Sequence, residues 1–269
     1  NDYVYINCFE EKIDDPVILA QRVSNSNFGI GSDGLILIMP SDQADVKMRM
    51  FNPDGSEGEM CGNGIRCVAK YAHDHGLVDK LQMTVETGNG VLSLELFTGD
   101  TDLVERVTVN MGAPKLMRGE LPMTGSATEQ AISVKLPLVQ GAVEVTCVSM
   151  GNPHCVIFVD DVENCALETV GPLIENHEWF PNRINVEFVQ IVSRTEVIQR
   201  TWERGAGETL ACGTGASAVT VAGVLTGRTE RKMVNHLRGG DLQMEWLEDG
   251  PVMMTGPAVE VFSGVFDPK

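Results

Sequence analysis

Two cysteines of this chain lie in the same local setting: Cys61 in GEMCGNGIRC and Cys212 in ETLACGTGAS. Each is followed by Gly-x-Gly and a run that reads as a helix start. After Cys61, the residues Ile65, Val68, Ala69 and Ala72 recur at helical spacing and Gly76 is a stop; after Cys212, the apolar run ASAVTVAGVL leads to Gly227. A helix N-terminus presents backbone N–H groups without intrahelical partners and a partial positive charge. It therefore holds anions such as a carboxylate, and glycine lets the ligand come close. The same field is expected to lower a thiol from its ordinary value of about 8.5, so that it can give or take a proton near neutrality. Two such thiols, one for each face of a tetrahedral carbon, would make a two-base racemase or epimerase. A single Cys-Gly-x-Gly is a weak signal, because a core cysteine is more often a small hydrophobe, and Cys8, Cys67, Cys147, Cys155 and Cys165 are read that way. The repetition gives Cys61 and Cys212 their weight.

The elements that would position them repeat as well. The two corners are 212 − 61 = 151 residues apart, and one offset aligns the rest of the chain with itself. Asn1 falls on Asn152, DPVILAQRVSNS on ALETVGPLIENH, Gly34 on Asn185, Glu57 on Glu208, and Gly88 on Gly239 without a gap. KMRMFN and VIQRTW alternate as half-buried strands, and QMTVETGNGVLSLEL and HLRGGDLQMEW read as hairpins. The expected fold is α+β: two pseudo-symmetric domains from an internal repeat, each a curled mixed sheet around a central helix. The first half comprises 1–113 plus 257–269 and carries Cys61; the second comprises 114–256 and carries Cys212. The terminal VMMTGPAVEVFSGVF is expected to run on as a further strand that ties back to the first half. Facing each other across a cleft, the two corners would converge on one ligand carboxylate.

Composition restricts the partners. A chain of 269 residues with 43% hydrophobic and 22% charged residues is an ordinary globular sequence, without a run of about 18 apolar residues to span a membrane. A net charge of −18 with scattered Lys and Arg argues against nucleic acid. Seven cysteines without paired Cys-x-x-Cys spacing suggest reduced thiols in the cytoplasm, not a disulfide framework or zinc ribbon. The five histidines lack metal-ligand spacing. The chain opens at Asn1 without methionine, so its natural N-terminus is expected upstream.

FNPDGSEGEMCGNGIRCVAKY, SMGNPHCVIFVDD, RINVEF and WERGAGETLACGTGASA, in this order and spacing, resemble the diaminopimelate epimerase family along essentially the whole chain. The resemblance implies a homodimeric cytoplasmic enzyme without cofactor or metal, which interconverts LL- and meso-diaminopimelate in lysine and peptidoglycan precursor synthesis. It assigns Cys61 and Cys212 as the acid/base thiols and His154 and Glu203 as residues that tune them. Backbone N–H groups of Gly62, Asn63, Gly213 and Thr214 would hold the reacting carboxylate. Asn1, Asn52, Asn152, Asn185, Glu203 and Arg204 would grip the amino and carboxylate groups, with the Arg204 guanidinium suited to a bidentate contact. Gly34 departs from relatives that carry Gln there.

Read apart from the family, several of these residues have plainer explanations. Asn52 heads NPDGS, a turn that favours Asn anyway, His154 could be a satisfied strand histidine, and Glu203 and Arg204 an ordinary surface pair. Proline racemases and hydroxyproline epimerases are similar in fold and mechanism but show MCGH and DRSPCGTG. Asn63 and ERGAGETLACGTG stand in those places here. A thiol-redox or ligand-binding protein would not need the same corner at both sites, and solvent isotope exchange separates it from an epimerase.

Overall fold

The computed structural model describes residues 1–139 and 141–267, so 268–269 of the expected first half lie outside the described residues. The chain forms two compact units, Asn1–Asn110 with Thr255–Lys269 and Met111–Met254.

The first unit contains β1 (Val4–Asn7), α1 (Pro16–Ser24), β2 (Leu35–Met39), β3 (Val46–Phe51), β4 (Glu57–Gly58), α2 (Gly62–Asp74), β5 (Gln82–Thr87), β6 (Gly90–Thr98) and β7 (Val104–Asn110). Its sheet runs β1-β2-β3-β5-β6-β7, with β4 on β3. β1/β2 and β3/β5 are parallel and the other pairs antiparallel. α1 begins where sequence rules place it: the Asp15 side chain accepts from the Ile18 N–H and Pro16 occupies the first turn, where its missing N–H costs nothing. Its buried Ala20 and Val23 pack with Leu35, Leu37 and Phe51.

The second unit contains a 3-10 turn (Arg118–Glu120), β8 (Val134–Leu138), β9 (Gly141–Ser149), β10 (Pro153–Phe158), α3 (Leu167–Glu175), β11 (Asn185–Ser193), β12 (Glu196–Glu203), β13 (Gly207–Thr209), α4 (Gly213–Leu225), β14 (Lys232–Leu237) and β15 (Gly240–Trp246). β16 (Val252–Pro257) begins in this unit and ends in the first. The sheet runs β8-β9-β10-β11-β12-β14-β15, with β13 on β12. α4 packs against β9, β10, β11, β14 and β15 and is buried from Ala216 through Gly223, as its apolar sequence requires. α2 buries only Ile65, Arg66, Val68, Ala69 and Ala72 beyond its first turn. Both helices stop at a glycine with positive φ, Gly76 at 71° and Gly227 at 69°.

The two units are copies of one plan. Val4 pairs with Leu35 as Cys155 pairs with Val186, and Leu35 with Phe51 as Val186 with Trp202, each displaced by 155 − 4 = 151. The gap-free offset does not persist. After the helix, Val46 pairs with Val85 but Val197 pairs with Asn235, and 235 − 85 = 150. The connection from Gly76 to Gln82 is one residue longer than that from Gly227 to Lys232, so Gly90 and Gly240 are the equivalent hairpin residues and Gly88 is not the partner of Gly239. The further strand expected after Gly256-Pro257 is also absent. Residues 258–267 have no regular secondary structure, and Val259, Val261, Phe262 and Val265 are exposed, so the apolar alternation there reflects no strand pairing. Among the described residues no helix is long and apolar enough to cross a membrane.

One ionisable group ties three strands of the second unit. His236 on β14 lies with Nδ1 2.7 Å from Asp241 on β15 and Nε2 2.9 Å from Glu196 on β12. The Asp241 hydrogen bond, opposed by partial burial and reinforced by Glu196, raises the imidazole above its usual range. A folded value above the unfolded value of about 6.5 gives stabilisation that is complete below that pH and is lost as pH rises through the folded value. His236→Gln should therefore lower the thermal midpoint at about pH 5.5 and leave it nearly unchanged at about pH 9. Equal losses at both pH values would show that packing, not charge, matters there.

Candidate active site

In the first unit Cys61 is the N-cap of α2, in extended backbone (φ −132°, ψ 117°), and its Sγ accepts from the Gly64 N–H at 3.4 Å. A thiol thus takes the place of the usual hydroxyl or carboxylate cap. The Gly62 and Asn63 N–H groups belong to the first turn, whose donors a helix leaves without intrahelical partners. Gly64 is needed for close approach to the sheet, since a Cβ there would lie 2.6 Å from Ile36 Cδ1. The Asn63 and Asn1 side chains meet, Nδ2 to Oδ1 at 2.8 Å, and Asn1 Nδ2 donates to Asp33 at 2.9 Å. Arg66, buried on α2, donates to the Gly62 carbonyl, Asn63 Oδ1 and the Pro257 carbonyl. Asn52 caps its own turn: its side chain donates to Ser56 Oγ and its carbonyl accepts from Gly55, which is the plain reading of NPDGS. Gly34 has φ 147°, and a Cβ there would lie 2.2 Å from the Phe51 carbonyl oxygen, so this backbone leaves no space for a side chain.

In the second unit Cys212 caps α4 in nearly the same conformation (φ −133°, ψ 110°) and accepts from the Gly215 N–H at the same 3.4 Å. Its surroundings differ. Thr214 Oγ1 is 3.4 Å from Cys212 Sγ and accepts from Asn152 Nδ2 at 3.1 Å. Asn152 Oδ1 lies 3.2 Å from Nε2 of the fully buried His154, and His154 Nδ1 lies 2.7 Å from Glu187 Oε1. Asn185 donates to the Pro153 carbonyl and accepts from the Arg204 N–H, so it fixes the corner that carries Arg204. Glu203 accepts from Thr209 Oγ1 at 2.6 Å, while the exposed Arg204 donates to the Asn182 carbonyl, so these two are not the surface pair considered from sequence.

The expectation that the helix field lowers the thiol is overturned for Cys212. Burial first, then the Glu203 and Glu187 carboxylates, raise it well above the ordinary range, and the Thr214 hydroxyl and Gly215 N–H only partly offset them. Burial also raises Glu203, opposed by Thr209 and reinforced by Glu187. Of the cysteines read as core hydrophobes, Cys147 and Cys155 are buried, while Cys8, Cys67 and Cys165 are half-buried.

Glu187 is the residue that sequence reasoning missed. It is fully buried in the middle of RINVEF, between the apolar Val186 and Phe188. A carboxylate in a strand otherwise fit for a core was the available signal. Among the described residues His154, Glu187 and Cys212 offer ligand atoms within 4.8 Å of one another, the one such set that could hold a cation. The Glu187 oxygens are already engaged by His154, Gln199 and Thr201, and Cys212 is connected to His154 through Thr214 and Asn152.

Chemically, each corner offers a thiol beside first-turn N–H donors, and the second adds a buried carboxylate–imidazole pair. The family model described as diaminopimelate epimerase matches residues 1–117 and 146–261. Proteins named diaminopimelate epimerase from Agathobacter rectalis and Bacillus cytotoxicus are 54% and 52% identical, covering 99% and 100% of this chain and 96% and 94% of theirs. In fold the chain is similar to a predicted epimerase of Pseudomonas aeruginosa (TM-score 0.66, 19% identity, 97% of this chain and 93% of that one). It is likewise similar to a probable proline racemase of Agrobacterium radiobacter (TM-score 0.65, 17% identity, 95% and 83%).

If the Glu203 charge helps keep the Cys212 thiol protonated, Glu203→Gln should move the pH profile of Cys212 alkylation by iodoacetamide to lower pH, read by peptide mass spectrometry. An unmoved profile would remove Glu203 from the tuning of this thiol.

Proposed function

Because the chain belongs to the diaminopimelate epimerase family, we propose that it inverts one α-carbon of diaminopimelate, LL to meso, with Cys61 and Cys212 as its two acid/base groups. The observation that carries this reading is the same thiol-capped corner built twice, with matching backbone angles and the same Sγ contact to the third residue of the helix.

Inversion without a redox step requires removal of the α-proton from one face and delivery of a proton to the other. One cysteine, as thiolate, takes the proton and becomes a thiol. The other, as thiol, delivers its proton and becomes a thiolate, so each turnover leaves the pair with roles exchanged. The α-proton is a weak acid, and a carbanion beside a carboxylate needs that carboxylate's charge neutralised by fixed donors. The first-turn N–H groups of Gly62, Asn63, Gly213 and Thr214 are suited to this. The exposed guanidinium of Arg204, which donates to the Asn182 carbonyl while Asn185 holds the Arg204 backbone N–H, suits a second carboxylate. Asn1, Asn52, Asn152 and Glu203 are assigned to the amino and carboxylate groups of the same ligand, and His154 to tuning Cys212. We assign the enzyme to lysine and peptidoglycan precursor synthesis, acting as a cytoplasmic homodimer, where the thiols stay reduced. Light scattering should give twice the 29.2 kDa chain mass.

In heavy water, LL-diaminopimelate should become the meso form carrying deuterium at the inverted carbon without added pyridoxal phosphate or metal. Activity only with such an addition would sink the two-thiol reading. Cys61→Ala and Cys212→Ala should each reduce epimerisation by at least about 100-fold, the usual worth of a general acid or base. Full rate in either variant would exclude that residue.

A further inference from the structure

The repeat supplies its own control for the buried polar groups of the second unit. Behind Cys212 a chain of side chains runs through the sheet. Asn235 Nδ2 donates to Gln199 Oε1, Gln199 Nε2 donates to Glu187 Oε2 at 2.7 Å, and the Thr201 hydroxyl donates to the same oxygen at 2.6 Å. Glu187 Oε1 faces His154 Nδ1 at 2.7 Å. All five groups are at most 1% exposed.

In the first unit the equivalent positions, 151 residues earlier before the helix and 150 after it, hold Tyr3, Ile36, Met48, Met50 and Val85. Ile36, Met48, Met50 and Val85 are buried there in the same sheet geometry. This fold is therefore built at those positions by apolar side chains. Burying a carboxylate and its partners in their place costs desolvation, and apolar replacements of such groups are often neutral or stabilising. The polar set in one copy alone serves something the other copy does not need.

Its geometry shows what. Gly215 lies against Glu187, where a Cβ would meet the carboxylate at 2.6–2.9 Å, whereas a Cβ on Gly64 would meet the apolar Ile36 Cδ1 at 2.6 Å and Cys61 beyond it. The carboxylate thus sits directly on the first turn of α4, beside the residue whose N–H contacts Cys212. With two donors on Oε2, the other oxygen is directed at the imidazole, and a proton lies between it and Nδ1. Asn152 Oδ1 is an acceptor, so Nε2 carries a hydrogen as well and donates to it, the ring bearing N–H at both nitrogens against the Glu187 carboxylate; this turns Asn152 Nδ2 onto Thr214 Oγ1 and leaves the Thr214 hydroxyl hydrogen for Cys212 Sγ.

We propose that Glu187 is a positioning residue of the Cys212 half, fixing the proton on His154 Nδ1 and through His154 and Asn152 aiming the Thr214 hydroxyl at the thiol. Gln199, Thr201 and Asn235 hold Glu187 in that orientation. The inference rests on the reading of Cys212 as an acid/base group, and the test separates the two.

Glu187→Gln keeps the shape but places an amide opposite Nδ1. In enzyme labelled with 15N-histidine, the wild type should show a strongly deshielded Nδ1 proton that disappears in His154→Gln and in Glu187→Gln. Glu187→Gln should also lower kcat about 10- to 100-fold with KM little changed, by analogy with loss of the partner that orients a metal-bound histidine. Glu187→Asp should recover part of the loss. Thr201→Val, which removes one donor to Oε2 and little volume, should give a smaller loss of the same kind and covers the case that Glu187→Gln does not fold. An unchanged kcat in Glu187→Gln, or in Thr201→Val if the former does not fold, would overturn the proposal. So would a fall in kcat with the His154 signal unaltered, which marks a structural role. Absence of deuterium incorporation by the wild type would instead defeat the acid/base reading, whatever the His154 spectrum shows.

Discussion

The constraint on which this structure depends is a thiol used as a helix cap. Ser, Asp or Asn at such a position binds the third backbone N–H closely and ends as a structural group. Sulfur is larger and a weaker acceptor, and at 3.4 Å it marks the start of the helix while remaining an acid. For the cap to lie against the sheet the third helical residue must be glycine, because any side chain would enter Ile36 in one unit or Glu187 in the other. Cys-Gly-x-Gly is therefore a packing requirement as much as a chemical one.

The same corner does not give the same thiol. Cys212 is enclosed, with two carboxylates nearby, and its ionisation is opposed. In the first unit the buried charge is a cation, Arg66, spread over the first-turn carbonyl of Gly62, the Asn63 side chain and the Pro257 carbonyl. Duplication supplied the symmetric scaffold, and substitution of buried side chains behind it made the halves electrostatically distinct. The proposed mechanism tolerates such a difference, since in it each thiol would serve as acid in one direction and base in the other.

Much of this was legible in the residues. The N-caps, the glycine stops and the two copies follow from local rules, and the pair Pro16–Ser24 and Leu167–Glu175 shows the offset carried by helices with different sequences. Two expectations failed for the same reason. The gapless register ignored a one-residue difference in a loop, and VEVFSGVF has strand-like alternation without a strand partner; both depend on pairing, which periodicity does not encode.

What the sequence determined by itself is the pattern: two thiols at equivalent helix starts, with His154, Glu203 and the asparagines at their motif positions, because capping, helix termination and repetition are properties of neighbours along the chain. What only the tertiary structure decided is the state of those groups. Burial turned the expected lowering of Cys212 into a rise, the Asn52 side chain closed on its own turn, and Glu187, separated from His154 by 33 residues, came within 2.7 Å of it across two parallel strands. Solvation and through-space charge depend on what the fold brings alongside, and no local rule carries that information.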